Sequence, residues 1–420
     1  MNTIIKIPNK FSFNDHGTYN FDRVLNIFNW TLEKQTVLID FSSCFRANYQ
    51  ALSLLTLYIW HLRLNNCFIE FQYSYNMEGA TKMWQLMGAK GWHHVLKNNN
   101  TNFNGNEYKP LIAVRHQKDF AIALSKTESY TQDFNVEYEK TLRYVISELL
   151  YNTLEHGPRI VCQDRRHTKI PSIIQFTWYK NKRQLQFIVA DLGMGIKSHL
   201  EQAYPPFESH GEAILESLKY QVSGTFGRVD PYKSKDNAGV GLYISSNIIR
   251  RLNADMHVVS GDGLVHISPT DTTITPLQEI WPGTLVLVSL NLDLGEGLNL
   301  HSLMSEIRSS ASKELKEADQ ADEKETFIIS VLNFFGPYAE NKQEAISFRD
   351  SRLLPSIEEG KSILIDFQGV ASAPHSFLSA LLATPIKRLG MQSYKRIKVV
   401  NSEPEIRETI DYILDDNTSA

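Results

Sequence analysis

The segment Ile146-Ser147-Glu148-Leu149-Leu150-Tyr151-Asn152-Thr153-Leu154-Glu155-His156-Gly157 determines how the middle of this 420-residue chain is interpreted. It closes a predicted helix, Asn135–His156, whose apolar face is expected to pack on a sheet and consists of Leu142, Val145, Ile146, Leu149 and Thr153. Glu148, Asn152 and His156 recur every four residues on an adjacent stripe. There the Asn152 oxygen is a candidate Mg²⁺ ligand, and Glu148 a candidate acceptor for a proton from an attacking water. An ordinary amphipathic helix with a polar flank would show the same spacing.

A second motif follows a predicted β-hairpin with strands Ser172–Tyr179 and Gln184–Ala190. The second strand ends at Asp191, and Gly193 and Gly195 come directly after it. An ionised aspartate accepts a hydrogen bond from the exocyclic amine of adenine, whereas guanine would present a carbonyl there and be rejected. The glycines allow the base to approach the main chain closely. By itself, however, Asp-x-Gly-x-Gly is a common turn.

A third motif, Gly239-Val240-Gly241-Leu242, leads into a predicted apolar helix, Tyr243–Leu252. The free N–H groups and positive dipole at such a helix start favour a triphosphate. No Gly-Lys-Ser/Thr follows and no strand precedes, so this is neither a Walker loop nor a dinucleotide fingerprint. Upstream, residues 223–235 are predicted to form a mobile lid, and Lys233 and Lys235 are candidates to reach the γ-phosphate, although surface lysines are usually just solvated.

Bulk composition is that of an ordinary globular protein. The chain is 42% hydrophobic and 21% charged with a formal net charge of −4, which gives no reason to expect nucleic-acid binding. Cys44, Cys67 and Cys162 are far apart and form no CxxC pair, so neither a disulfide framework nor a zinc site is expected. No signal peptide is evident, and the longest apolar run, Ala51–Leu62, is shorter than a membrane span. We therefore expect a cytoplasmic protein that does not interact with membranes.

In this order, the three motifs resemble those of the GHKL superfamily of ATP-binding domains, the Bergerat fold shared by gyrase, a heat-shock chaperone family and histidine kinases. Residues 146–157 resemble the N box, 191–195 the first glycine box and 239–242 the second, and Gly283-Thr284 resembles the last short motif. The ending Glu155-His156-Gly157 is most similar to the anti-sigma-factor serine kinases, although histidine kinases can also carry His there.

This resemblance implies ATP and Mg²⁺ as cofactors and assigns roles to individual residues. Glu148 would be the general base, Asn152 the Mg²⁺ ligand, Asp191 the adenine reader and Thr284 a second contact near the adenine. The remaining nucleotide-binding residues implied are His156, Gly193, Gly195, Lys233, Lys235, Gly239, Gly241 and Leu242.

The two ends of the chain repeat one pattern. Val37-Leu38-Ile39-Asp40-Phe41 matches Ile363-Leu364-Ile365-Asp366-Phe367, and Ser53 and Ser379 fall at the same offset from Asp40 and Asp366. Any buried strand followed by a helix gives a similar pattern. Both ends resemble STAS domains, the fold of anti-sigma-factor antagonists. The usual phosphoacceptor position falls on His375, beside Ser376, in the last copy, and on Tyr49 and Gln50 in the first, so a competent internal phosphoacceptor is not expected, and Ser376 is a weak candidate.

The predicted fold class is α/β, an α+β sandwich. A central GHKL domain with a mixed sheet, residues 111–294, is flanked by STAS-like modules at 1–110 and 326–420, with a charged helical connector at 295–325.

The leading functional hypothesis is an ATP-hydrolysing switch that acts on the STAS-like modules or on a protein partner, with a homodimer plausible by analogy. The alternatives are a protein kinase acting on a serine of a separate STAS protein, and a module that binds ATP without hydrolysing it and sequesters a partner.

Overall fold

The computed structural model describes residues 2–15, 18–131, 136–156, 159–163, 166–179, 182–202, 204–220, 222, 241–291, 302–303, 305–307, 309–310 and 326–418. The described residues form two compact units. The first takes in nearly all of them up to Ile307, and the second takes in those from Thr326 onwards. Within the described part of the chain, no helix is both long enough and apolar enough to cross a membrane.

The first unit begins with a small three-stranded parallel sheet and its helices. Its strands are β1 (Asn2–Lys6), β5 (Thr36–Asp40) and β7 (Phe68–Gln72), in the order β1-β5-β7. Short strands β2 (Lys10–Phe11), β3 (Asn14–Asp15), β4 (Thr18–Tyr19) and β6 (Arg46–Ala47) lie between them. The helices are α1 (Asp22–Leu25), α2 (Tyr49–Leu64), α3 (Gly79–Leu86) and α4 (Trp92–Lys97), with a 3₁₀ turn at Ala89–Gly91.

A five-stranded sheet forms the centre of the same unit, in the order β13-β14-β12-β11-β8. The strands are β8 (Leu111–Val114), β11 (Ser172–Tyr179), β12 (Gln184–Ala190), β13 (Asp255–Ile267) and β14 (Thr272–Asn291), and a separate hairpin comprises β9 (Arg159–Gln163) and β10 (Arg166–Ile170). The helices are α5 (Gln117–Thr131), α6 (Val136–His156), α7 (Ile196–Leu200), α8 (His210–Ser217) and α9 (Gly241–Arg251).

The prediction of a mixed sheet is wrong for the described strands of this central sheet. Every neighbouring pair is antiparallel. Two of the four pairs, β11–β12 and β13–β14, are hairpins, and such connections reverse the chain direction.

Helix α2 connects the two sheets of the first unit. All of its residues except Arg63 are buried, because α2 packs against β7 of the small parallel sheet and also against β11 and β12 of the central sheet. Gln50 near its start donates through Nε2 to Thr177 Oγ1 on β11 at 3.0 Å. One hydrophobic core therefore runs from Ile5 to Leu287, and the boundary predicted near residue 110 falls inside a continuously packed unit.

The opposite face of the central sheet is covered by α6 and α9. Helix α6 packs against α5 and α9 and lies over β11 and β12, while α9 packs on β13. The apolar face predicted for α6 is buried throughout, with Leu142, Val145 and Ile146 at 0% exposure. This placement leaves Glu148 of the polar stripe beside the start of α9.

The second unit repeats the topology of the first small sheet. Its parallel strands are β15 (Thr326–Ser330), β16 (Ser362–Asp366) and β17 (Ile397–Val400), in that order. Its helices are α10 (Val331–Phe335), α11 (Lys342–Phe348), α12 (Leu354–Glu358), α13 (His375–Leu389), α14 (Ser393–Arg396) and α15 (Pro404–Thr418), with a π turn at Arg349–Leu353 and a 3₁₀ turn at Gly390–Gln392. They enclose a core of their own around Ile365 and Phe377.

The turns after the middle strands of the two small sheets are alike in detail, as the sequence repeat predicts. Asp40 Oδ1 accepts from Ser42 N at 2.8 Å, and Asp366 Oδ1 accepts from Gln368 N at 2.9 Å. Each following helix begins at the same offset from its aspartate, α2 at Tyr49 and α13 at His375. The environments differ, because Tyr49 is buried in the first unit whereas His375 is exposed in the second.

Candidate functional site

Asp191 lies at one end of the central sheet, where β12 stops and β14 continues beside it. Its Oδ1 accepts from Gly193 N at 2.8 Å and from Thr284 N at 3.3 Å. Its main chain is also held, because its N–H donates to Thr284 O at 2.9 Å and its carbonyl accepts from Trp281 Nε1 at 2.9 Å. These bonds fix the direction of the carboxylate before any ligand arrives.

The loop after Asp191 is braced from the neighbouring strand β13. Ser260 Oγ donates to Gly283 O and accepts from Ile196 N, both at 2.9 Å. Gly195 has a φ of +76°, a conformation that glycine adopts without strain, and a Cβ atom there would also lie 2.8 Å from Ser260 Oγ. The glycine predicted from the motif is therefore required by the geometry.

Gly283, on the neighbouring strand β14, lies directly against Asp191. A Cβ atom on Gly283 would overlap the Asp191 carbonyl oxygen and lie 2.6 Å from Asp191 Oδ1. Since the obstructing atoms include backbone, a side chain at this position would force the strands apart. We call Gly193, Ser260, Trp281, Gly283 and Thr284 the Asp191 clamp.

Burial makes the Asp191 carboxyl a weaker acid than an ordinary aspartate. Desolvation raises the pKa of Asp191 to about 6, although its hydrogen bonds from Gly193 and Thr284 favour the charged form and act in the opposite direction. With this pKa the side chain is largely ionised at pH 7 and takes up its proton as the pH falls through about 6. A buried, oriented carboxylate with remaining acceptor capacity is suited to bind an amine or amide N–H donor.

Glu148 lies against the first turn of α9. A Cβ atom on Gly241 would overlap Glu148 Oε2, so the absence of a side chain at Gly241 makes room for the carboxylate. Burial raises the pKa of Glu148, and a hydrogen bond from the Tyr144 side chain partly offsets this effect. A carboxylate with raised pKa, next to a helix start, is suited to accept a proton.

The end of α6 lies at the same edge of the sheet as Asp191. Ser172 Oγ donates to Thr153 O at 3.4 Å, and the next residue of β11, Ile173, pairs with Ala190, the residue before Asp191. Asn152 precedes Thr153 and is partly exposed. The last turn of α6 and the loop after Asp191 therefore lie at the same end of the central sheet. At Gly241, the start of α9 lies against Glu148.

Several predicted site residues fall wholly or partly outside the described residues. Lys233, Lys235 and Gly239 lie there, as does the predicted lid at 223–235. His156 ends α6, but its side chain is not among the described ones. Leu242 is the second residue of α9 and is partly exposed.

The residues present fit Mg²⁺ held chiefly through a nucleotide. Among the described residues, no group of three or more His, Cys, Asp or Glu side chains is arranged to hold a metal by itself. Mg²⁺ usually takes few protein ligands and completes its shell with phosphate oxygens and water. The Asn152 oxygen, one helical turn from Glu148, is the kind of single ligand that this arrangement requires.

Two members of the Asp191 clamp, Ser260 and Trp281, were not predicted from the sequence, and Gly283 was named only as part of a short motif without a role of its own. Ser260 sits inside a long strand with no motif around it, and its role depends on pairing with Thr284 across the sheet. Trp281 and Gly283 precede the predicted Thr284, but nothing in their spacing indicates that they contact Asp191. The sequence therefore pointed to Asp191 and to its two donors, Gly193 and Thr284, but not to the side chains of Ser260 and Trp281 that hold the surrounding main chain.

The positions related to STAS phosphoacceptors also differ between the two small sheets. Ser376, in the first turn of α13, is exposed. Tyr49 and Gln50, at the start of α2, are 4% and 0% exposed because the central sheet covers them. In the described structure, the start of α13 is accessible to an enzyme, and the start of α2 is not.

Comparison with known proteins identifies the second unit alone. No curated protein matches the chain. A family model described as a STAS-like domain of unknown function (DUF4325) matches residues 344–407. This range includes β16, the helix α13 and β17. Residues 344–407 therefore form a STAS-like domain.

Proposed function

We propose that the first unit is a GHKL-type ATP-binding domain and that the protein is an ATP-hydrolysing switch whose nucleotide state controls its STAS-like domain or a protein partner. The observation that carries this proposal is the clamp on Asp191. Within the described chain, this buried carboxylate is oriented by two backbone N–H groups, at the end of the sheet where the last turn of α6 also packs.

Adenine is the base that the Asp191 carboxylate would select. Its exocyclic amine donates to an ionised carboxylate, whereas guanine presents an acceptor at the same place. A buried acceptor left without a donor costs about 1–3 kcal/mol or more, so discrimination by this single group is expected to be strong.

Phosphate binding and hydrolysis are assigned to the helix pair α6 and α9. The start of a helix such as α9 favours bound phosphate through the positive end of the helix dipole. Glu148, held against Gly241, would take a proton from the attacking water, and Asn152 would hold the metal that accompanies the nucleotide. Lys233 and Lys235 are proposed to close over the γ-phosphate as part of a lid.

Protein kinase activity toward a serine of a separate STAS protein is the second candidate. In this chain's own STAS-like domain the corresponding helix start, at His375 and Ser376, is exposed, which supports access of a kinase to such a position. A third candidate is a module that binds ATP, does not turn it over and sequesters a partner.

Incubation with γ-labelled ATP separates the three candidates. The switch releases labelled inorganic phosphate, the kinase transfers label to protein, and the sequestering module does neither while still retaining ATP. A Ser376→Ala chain controls for internal transfer, because label that persists on it must lie elsewhere. Failure of the full chain to bind ATP at all would overturn all three candidates.

A further inference from the structure

The indole ring of Trp281 is the largest group in the Asp191 clamp, and it is completely buried. Its N–H donates to the Asp191 carbonyl oxygen at 2.9 Å. Two rings from the N-terminal part of the first unit pack edge-on against it, with ring centroids 5.4 Å away for Trp30 and 6.0 Å away for Phe28. Buried side chains keep their orientation through close packing with such neighbours. The direction of the bond from Trp281 to Asp191 therefore depends on Trp30 and Phe28.

Trp30 also holds the main chain next to that ring. Its own indole N–H donates to Ile280 O at 3.0 Å. Slightly earlier on the same strand, Asp22 of α1 accepts through Oδ1 from Gln278 N and Glu279 N, each at 3.0 Å. Consecutive residues of β14 are therefore bound, through their main chain, by side chains from the N-terminal part of the first unit.

These bonds fall on an irregular stretch of β14. Gly263 of β13 pairs with Pro276, but the next paired residue of β14 is Trp281. The stretch between them bulges out of the ladder, and its polar main-chain groups need other partners. Asp22 and Trp30 supply such partners. The shape of β14 directly before the Asp191 clamp is therefore set by α1 and the segment that follows it.

Trp30 is itself fixed by α2. Its ring lies edge-on to Tyr58 and to His61, with ring centroids 5.3 Å and 5.1 Å away. The Tyr58 hydroxyl also binds the residue before Trp30, accepting from Asn29 N at 3.1 Å and donating to Asn29 O at 2.9 Å. A continuous series of packed rings and hydrogen bonds therefore runs from α2 through Trp30 to the Asp191 clamp.

We propose that Trp30 and Asp22 are positioning residues of the nucleotide site, through which the N-terminal part of the first unit holds Asp191 in place to meet the amine of adenine. This inference rests on the proposed ATP-binding function and gives the N-terminal part of the chain a role in it. Both residues would act through β14 without touching the nucleotide. A small displacement of β14 would move the Asp191 carboxylate, because Thr284 N, which donates to it at 3.3 Å, follows on the same strand.

Calorimetric titration of the full chain with ATP and with purine riboside triphosphate, which lacks the exocyclic amine, tests the inference. The parent is expected to bind ATP at least about tenfold more tightly than the nucleotide without the amine. Trp30→Phe shortens the ring and removes its N–H, so this ratio should fall by about threefold or more, while affinity for purine riboside triphosphate stays within about twofold of the parent. Asp22→Ala should lower the ratio in the same way, whereas Asp22→Asn, which keeps an acceptor oxygen, should retain it.

Trp60→Phe is the matched control for a loss of stability. Trp60 is a completely buried residue of α2 whose N–H donates to Trp92 O at 2.9 Å and whose ring stacks on Phe103. This substitution also removes an indole N–H bonded to main chain, so it should lower the melting temperature at least as much as Trp30→Phe and leave the nucleotide ratio unchanged.

The outcomes separate this inference from the proposed function. A parent-like ratio in Trp30→Phe or in Asp22→Ala, with ATP still preferred by the parent, would overturn the role of that residue and leave the proposed ATP site standing. An equal fall of the ratio in Trp60→Phe and Trp30→Phe would also overturn the inference, because the effect would then follow stability alone. A parent chain with no preference for ATP would overturn the proposed adenine site and this inference together.

Discussion

The two halves of the candidate site are built differently. On the Asp191 side, the carboxylate accepts from the backbone N–H groups of Gly193 and Thr284, and side chains from the neighbouring strands β13 and β14 hold the main chain around it. On the Glu148 side, the carboxylate lies in a gap between two helices, beside a glycine. Strand pairing holds the first half in place, whereas the second depends on the packing of α6 against α9. We infer that base recognition is preorganised and that turnover depends on helix position, so the two should be separable by mutation.

The largest effect is expected from Gly283→Ala. A methyl group there meets the backbone of Asp191, so strands β12 and β14 must separate, at a cost of about 1–3 kcal/mol in folding free energy. The displaced carboxylate should no longer bind adenine. Urea unfolding and ATP titration measure the two effects. Gly91→Ala is the control, because a Cβ atom on Gly91 meets nothing within 4 Å. Normal ATP binding by a stable Gly283→Ala chain would show that the clamp is not required.

Asp191→Asn is expected to affect ligand binding and stability in opposite directions. The Asn oxygen can still accept from Gly193 and Thr284, but its amide group clashes electrostatically with the adenine amine, so ATP affinity should fall by about a hundredfold. Folding should become more favourable by about 1–3 kcal/mol at pH 7, because burying the ionised carboxylate raises its pKa to about 6 from an ordinary value of 3.8.

The pH dependence of this gain follows from the direction of the shift. Below the unfolded pKa, Asp191 is protonated in both states and costs nothing. As pH rises toward the folded value, the unfolded state loses its proton first, and the parent protein loses stability relative to Asp191→Asn. Melting temperatures of both chains between pH 4 and pH 8 measure this difference. A gap that is constant over this range would contradict the burial of an ionised Asp191.

Glu148→Gln should separate binding from turnover. The substitution keeps the size and the space beside Gly241 but removes the proton acceptor, so release of phosphate from ATP should fall by about a hundredfold or more. ATP affinity should stay within about threefold of the parent. Phosphate release and equilibrium binding, measured on the same preparation, check both expectations. Unchanged hydrolysis would show that Glu148 is not the base.

Gly241→Ala should have the smallest effect of the four substitutions. The added methyl group meets the end of a flexible glutamate side chain, which can move, whereas on Gly283 it meets backbone. We expect a decrease in turnover of about tenfold, from displacement of the Glu148 carboxylate, with little change in folding stability. The melting temperature should therefore stay close to that of the parent, while the rate of phosphate release falls. A loss of stability as large as that of Gly283→Ala would remove the distinction between the two halves of the site.

The helix α6 and the hairpin β11–β12 were predictable because their apolar residues recur with the regular spacing of a helix and of strands. The helix expected at Asn135–His156 is observed at Val136–His156, and the hairpin strands Ser172–Tyr179 and Gln184–Ala190 have the predicted bounds. Each of these segments has the apolar spacing of its structure and is buried on the corresponding face. The buried strand before Asp366 was likewise recognisable from its continuous apolar run.

Features that depend on contacts between distant segments were not predictable. The outer part of β14, from Thr272 to Ile280, is largely exposed and polar, so its sequence carries no strand signal, and hairpin pairing with β13 defines it. The burial of α2 between two sheets is consistent with its long apolar run, but the run does not say what covers it. For the same reason, no sequence pattern marked Ser260 as part of the site, since its hydrogen-bond partners lie in other segments of the chain.

The central claim, that Asp191 reads the adenine amine, is tested most directly by one comparison of ligands. ATP and purine riboside triphosphate differ only in the exocyclic amine, so phosphate contacts and base stacking are matched. Calorimetric titration of the full chain with each, in the presence of Mg²⁺, should give at least about tenfold weaker binding without the amine, because the buried acceptor is left unpaired. Equal affinity for the two nucleotides would contradict the account.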